Sequence, residues 1–333
     1  MSAPTLPADQ DIATYGLHRV GVGEVGGMIF VHLGGVAEQG SFAEFAEHVG
    51  PTMEAQGLAH AKVAQVEDFV VESNWKLLYE NNRECDHCVH GHPEYNVVNF
   101  DVEFAYAMSL DEGGELVDYG GDLLPPERVV DSKGGAKRQA KLRAEIAAQD
   151  ARTGALWEEW GMPTITSVPE FPGSGWFRAA RTFFREGFVS QTLDGKPGCW
   201  GVPLATPPRA PEGWGAEDWD LGVLKINTFP NFWSYCMSDH AAATRLTPID
   251  AHRTHVRQYW LVHRDAEEGR DFDLARMKHV WHQTLLQDNE LCRINHAGVR
   301  SEAYTPGPYS PAKEAAVDFF VHGWYLRKFR GEK

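Results

Sequence analysis

Apolar and polar positions change period along the chain, and the changes mark out its elements. Val20, Val22 and Val25 are spaced through glycines and lead into Met28-Ile-Phe-Val-His-Leu33, so residues 16–33 predict strands. Ser41-Phe-Ala-Glu-Phe-Ala-Glu-His48 predicts a short amphipathic helix, with Ser41 and Glu44 placed as a capping box. Residues 62–72 alternate as a strand. From Ser73 the period becomes helical, and Pro93 predicts its stop. Gly120-Gly, Pro125-Pro and Gly134-Gly punctuate a loop over 120–135, and a helix is expected over 137–160. Strand-like runs follow at 176–184, 199–204 and 221–235. Residues 244–248 and 255–263 read as an antiparallel pair joined by a polar turn around Asp250. A long helix over 272–297 and a short one over 319–329 complete the order. Strands, helix, many antiparallel strands and then a long helix make an α+β pattern. No repeat of solenoid or propeller period is present, and no glycine-rich phosphate loop follows a strand.

Composition narrows the function classes. The 333 residues leave room for two domains or one large one, and 43% hydrophobic with 11% aromatic residues can build a sizeable core. With 47 acidic against 31 basic residues the net charge is −16, which argues against a nucleic-acid backbone or an anionic membrane as partner. No stretch of 18 apolar residues is present to span a bilayer, and the first eleven residues have neither the basic nor the apolar region of a secretory signal. Five cysteines in a chain of this length do not make a disulfide scaffold. The expectation is a soluble, reduced, cytoplasmic protein.

The chemistry concentrates in residues 74–93, which hold Glu84, His87 and His92 in the spacing E-x2-H-x4-H. On a helix Glu84 and His87 would share a face, and Gly91 with Pro93 would end the helix and turn the His92 imidazole back. Two neutral imidazoles and one carboxylate from elsewhere make a facial triad suited to non-haem Fe(II), with positions left open for O2. On the long predicted helix, Asp288 and Glu290 are the available carboxylates. Asp288 lies among Trp281, Leu285, Leu291 and Ile294, where a carboxylate facing a core needs a reason such as a metal. Solvated polar residues on helix faces are the alternative. Cys85-x2-Cys88 could be half a zinc site, but no second pair follows at finger spacing. Phe104, Tyr106, Phe229, Trp233 and Tyr235 are aromatic candidates for a pocket, where such rings could cage a quaternary ammonium, stack a flat heteroaromatic or pack as core.

These residues resemble the catalytic domain of the Rieske-type non-haem iron oxygenase α subunits. Asn74-Trp-Lys, Glu80-Asn81 and Glu84-Cys-x-His-Cys-x3-His-Pro93 resemble the family's ligand helix. Asp194-Gly-Lys, Phe229-Pro-Asn-Phe-Trp, Asp239-His, Thr244-Arg-Leu-Thr-Pro248 and Gln287-Asp-x3-Cys292 continue the match, and Tyr304-Thr-Pro-Gly-Pro-Tyr-Ser resembles its C-terminal tail. The resemblance implies a helix-grip (START/Bet v 1-like) fold, an antiparallel sheet wrapped around a long C-terminal helix. It implies His87, His92 and Asp288 as iron ligands. Glu84 would be the carboxylate that carries electrons from a neighbour's iron–sulfur cluster, and Glu80 and Asn81 would help orient the ligands. A glutamate at position 84, flanked by Cys85 and Cys88, looks most like the glycine-betaine, carnitine and stachydrine N-demethylating or N-cleaving subgroup.

A Rieske cluster requires C-x-H and C-x2-H pairs. The chain has Cys85-x-His87 and Cys88-x-His90 but no C-x2-H, and Gly16-Leu-His-Arg-Val-Gly-Val resembles the seam after the cluster domain. The expected organisation is a leader over 1–15 and a mononuclear-iron catalytic domain over 16–333, with the Rieske domain absent. Electrons would then come from NAD(P)H through a reductase and a separate [2Fe-2S] Rieske-bearing subunit or ferredoxin. The assembly would be a homotrimer or mixed hexamer acting with O2 on a small, N-methylated substrate. Aromatic-ring hydroxylation or dihydroxylation at the same iron, and a non-catalytic scaffold for a full-length paralogue, are the competing readings.

Overall fold

The N-terminal valines pair across two glycines. β1 (Gly21–Val25) and β2 (Met28–His32) form a hairpin closed by Gly26 and Gly27, both with positive φ, as a two-residue turn between right-twisted strands demands. The next helix, α1 (Gly40–Ala55), is longer than its predicted first half and runs through Pro51. Its apolar spacing explains the extension: Phe45, Val49 and Met53 repeat at helical intervals and are all buried, with the Phe45 ring edge-on to Phe30 of the hairpin at 5.1 Å. The computed structural model describes residues 17, 19–33, 40–84, 87–100, 108–110, 116–118, 135–162, 177–184, 188–213, 215, 222–309 and 314–331.

β3 (Ala61–Val71) leads into α2 (Trp75–Asn81), whose start is capped by Asn74 Oδ1 accepting from the Lys76 backbone N–H at 3.0 Å. The helical pattern read from Ser73 onward is broken. α2 ends at Asn81, and two short helices follow, α3 (Cys88–Gly91) and α4 (Pro93–Val98). Pro93 therefore opens a helix, the one position where its missing N–H costs nothing. β4 (Asn99–Phe100), β5 (Met108–Leu110) and β6 (Leu116–Asp118) come next, then α5 (Gly135–Glu159). Most of the loop expected over 120–135 lies outside the described residues.

The remaining strands are β7 (Phe177–Phe184), β8 (Val223–Thr228), β9 (Phe232–Cys236), β10 (Ala241–Pro248) and β11 (Thr254–His263). With β3 and β4 they form a seven-stranded sheet in the order β3-β11-β10-β9-β8-β7-β4, every pair antiparallel. The strand expected at 199–204 is absent. Those residues run as irregular chain because their backbone is claimed elsewhere. The N–H groups of Trp200 and Gly201 donate to the Asp271 carbonyl, and Gly201 has no room for a Cβ beside the Asp271 side chain.

The long helix α6 (Leu274–Val299) starts at Asp273, whose side chain accepts from the Arg276 N–H at 2.9 Å. Met277, Val280, Trp281, Thr284, Leu285, Cys292 and His296 form its buried stripe. Strands β8 to β11 alternate between two cores. Trp233, Tyr235, Leu246, Val256 and Trp260 face the core shared with α6. Leu224, Ile226, Cys236, Ala243 and Leu261 face a second core under the hairpin, α1 and Trp157 of α5. The sheet gripping one long helix is the α+β helix-grip arrangement expected from the sequence. The chain closes with α7 (Ala315–Asp318), a π-helical turn over Phe319–Tyr325 and α8 (Leu326–Phe329). No helix among the described residues is long and apolar enough to cross a membrane.

Candidate metal centre

Three donor atoms meet where α6 passes the broken helical segment. His87 precedes α3, His92 sits at the junction of α3 and α4, and the half-buried Asp288 lies on α6 between the buried Leu285 and Cys292. His87 Nε2 is 3.1 Å from His92 Nε2 and 3.1 Å from Asp288 Oδ1, and His92 Nε2 is 3.0 Å from the same carboxylate oxygen. The imidazole planes stand nearly perpendicular, at 84°. An ion about 2.2 Å from three mutually perpendicular donors spaces them about 3.1 Å apart, so the triangle has the dimensions of one face of an octahedral site. Two nitrogens and one oxygen suit a borderline divalent ion and leave the opposite face unassigned. The Cys88 sulfur stands farther out, 3.9 Å from His87 Nε2.

Electrostatics favour a cation at the triangle. Asp288 is disfavoured as a carboxylate by burial, but the imidazoles of His92 and His87 outweigh this and hold its pKa near 2. Burial likewise opposes charge on His87, yet hydrogen bonds to Asp288 and Glu84 prevail and push its pKa up to about 10. The His87 imidazolium thus supplies positive charge where an ion could supply it instead. Glu290 is not part of the cluster. It is exposed and binds Arg293 through two 2.7 Å hydrogen bonds.

The flanking residues divide. Glu84 Oε1 is 2.7 Å from His87 Nδ1, a contact made outside any helix rather than across one helix face. Asn81, the last residue of α2, places Nδ2 3.1 Å from His87 Nε2. Glu80 turns away to Lys76 and Tyr309. Two residues not singled out from the sequence complete the surroundings of His92. Gln287 Oε1 lies 2.9 Å from His92 Nδ1, and Gln287 Nε2 donates to Glu94 Oε2 at 3.1 Å. Gln287 precedes Asp288 and Glu94 follows His-Pro, but only the fold brings them together.

The aromatic residues also part. Tyr235 stacks on Trp281 with ring centres 3.8 Å apart and planes 6° apart, and its hydroxyl accepts from Asn82. Tyr95 joins this layer, 5.6 Å from Trp281 and 6.5 Å from the His92 ring. Lys225 Nζ lies 5.5 Å from the Tyr95 ring and 5.8 Å from the Tyr235 ring. Trp233 packs on Tyr79, and Phe229 belongs to a C-terminal cluster with Tyr79, Phe320 and Trp324. Of the five aromatics expected in a pocket, Tyr235 adjoins the cluster, Phe229 and Trp233 pack elsewhere, and Phe104 and Tyr106 lie outside the described residues. Leu291 and Ile294, expected to bury Asp288, are exposed, leaving Trp281 and Leu285 as its apolar neighbours on α6.

Fold and donor set define a class: an α+β helix-grip domain with a two-histidine, one-carboxylate cluster set against its long helix. Residues 58–331 match the model of the ring hydroxylating alpha subunit (catalytic domain), and the chain belongs to that family. It is 33% identical over 317 residues to the glycine betaine monooxygenase oxygenase subunit of Chromohalobacter salexigens, covering 95% of this chain and 60% of that one. It is 32% identical over 325 residues to the protein of the same description from Pseudomonas aeruginosa, covering 97% and 64%. The chain therefore spans about three-fifths of the length of these curated relatives. In fold it is similar to the quaternary ammonium Rieske monooxygenase CntA in complex with an inhibitor, with a TM-score of 0.55 and 14% identity over 97% of this chain and 65% of that chain.

Proposed function

We propose that His87, His92 and Asp288 hold one Fe(II) ion and that the protein is the oxygenase component of an O2-dependent system acting on an N-methylated, quaternary ammonium substrate. The near-equilateral triangle of Nε2, Nε2 and Oδ1 carries this reading, and family membership and the descriptions of the relatives support it. Iron bound there would supply the O2 activation, hydroxylating an N-methyl carbon that then leaves as formaldehyde.

The chain's own residues do the rest. His87 and His92 offer nitrogen lone pairs, and Asp288 offers one negative charge, so a divalent ion keeps net positive charge for an oxygen ligand. Glu84 fixes the His87 ring through Nδ1 and is the entry point for electrons from a [2Fe-2S] Rieske protein, itself reduced from NAD(P)H by a reductase. In a homotrimer or mixed hexamer a neighbouring subunit would bring its cluster to this edge. A cytoplasmic setting suits the supply of NAD(P)H.

The test is turnover by the protein co-expressed with its genomic neighbours. Glycine betaine should yield formaldehyde in step with O2 uptake. Hydroxylated arenes without formaldehyde would overturn the substrate assignment in favour of ring hydroxylation.

A further inference from the structure

Both imidazoles of the triad are gripped at Nδ1, but by different chemistry. His87 meets a carboxylate directly, at Glu84, whereas His92 meets a neutral amide that is itself gripped by a carboxylate. Donor and acceptor rules determine every position in the second chain. The Gln287 NH2 donates to Glu94 Oε2. That turns Gln287 Oε1 toward His92, and an amide oxygen only accepts, so the proton of His92 sits on Nδ1. Nε2 is thereby the nitrogen left to face the triangle, 3.0 Å from Asp288 Oδ1.

We infer that Glu94 and Gln287 form a positioning relay that fixes the tautomer and ring orientation of His92 for metal binding. The inference rests on the proposed metal site. Without Glu94, the Gln287 amide has no reason to prefer one of its two orientations. The flipped amide would present NH2 to Nδ1 and move the imidazole proton to Nε2, the atom required as ligand. The surroundings suit such a lock. His92 is 2% exposed, its N–H donates to the Cys88 carbonyl at 3.1 Å, and its own carbonyl accepts from Asn96 N–H at 3.0 Å, so the backbone is held while the relay sets the ring. Gln287 comes from α6 and Glu94 from α4, so the relay also ties the helix carrying Asp288 to the segment carrying both histidines. Groups that hold a ligand's second nitrogen typically change metal affinity by about 10- to 100-fold.

The experiment titrates the metal-free 333-residue chain with Co(II), reading visible absorption and dissociation constant, with circular dichroism to check folding. Gln287→Leu should weaken Co(II) binding by about 10- to 100-fold. Gln287→Glu alone sets two carboxylates against each other and should also bind weakly. Combining Gln287→Glu with Glu94→Gln restores a donor at 94 and an acceptor at 287, and should recover affinity to near wild type. A structural role alone predicts no such recovery. If Gln287→Leu binds Co(II) as the wild type does, or the double variant is no better than Gln287→Leu, the relay is refuted while the metal site stands. If the wild type takes up no Co(II), the metal reading falls and the relay with it.

Discussion

Asp239 is fully buried in the turn between β9 and β10, and its removal should cost more stability than that of any exposed charge. One oxygen, Oδ2, accepts from Ser190 Oγ at 2.8 Å, Gly198 N–H at 2.7 Å and Cys199 N–H at 3.2 Å, and Oδ1 lies 3.0 Å from His240 Nδ1. Burial opposes the carboxylate, but the charge of His240 and these donors hold its pKa below the usual range. The carboxylate thus pins residues 190–199 to the sheet, and the same segment carries Gln191, which accepts from the Trp281 indole of α6. Asp239→Ala strands two backbone N–H groups, a hydroxyl and a buried histidine. Hydrogen bonds to a charged acceptor contribute about 1.5–3 kcal/mol each, partly offset by relief of the carboxylate's desolvation. Breaking one side of a buried charged cluster costs about 3–5 kcal/mol, the loss expected here at pH 7. Because the folded-state pKa is depressed, this contribution is complete above the ordinary aspartate range and is lost only as pH falls through the folded value. Urea unfolding at pH 7 measures it from the shift in midpoint at constant slope. A loss below about 1 kcal/mol would refute the reasoning, since it would leave the Asp239 hydrogen bonds without energetic weight.

Two further outcomes are expected. Metal-free His87 holds its proton until about pH 10, so an incoming ion must displace it, and apparent affinity should rise about tenfold per pH unit between pH 6 and 8. A flat profile in metal titrations would show that the proton is not on His87. Asp273→Ala removes the cap of α6 and should lower unfolding free energy by about 0.5–2 kcal/mol, with no change in metal stoichiometry.

Much of this arrangement is legible in the chain because it is local or periodic. The stripe Met277, Trp281, Leu285 predicts α6 almost to its ends, and Asp288 stands out as a carboxylate beside that stripe. The E-x2-H-x4-H spacing marks the histidines, although the segment is two short helices and turns instead of one helix. Pro93 is where that reading fails, because a proline serves equally as a stop or as a first helical residue. The predicted strand at 199–204 fails for a different reason: Asp239 and Asp271, far away in sequence, take its backbone donors. Glu94 carries no local signal, and Gln287 appears only within the Gln287-Asp-x3-Cys292 match, with no role attached. Each is an ordinary polar helix residue until α4 and α6 pack together. The aromatic positions behave likewise, since alternation places Trp233 and Tyr235 on the same face but does not say which of them ends beside Asp288.

The central claim, that His87, His92 and Asp288 hold iron, is tested most directly by anaerobic Fe(II) loading of the wild type, His87→Ala and Asp288→Ala, followed by desalting and metal analysis. The account predicts about one iron per triad in the wild type and almost none in either folded variant. Equal iron in all three proteins would contradict it.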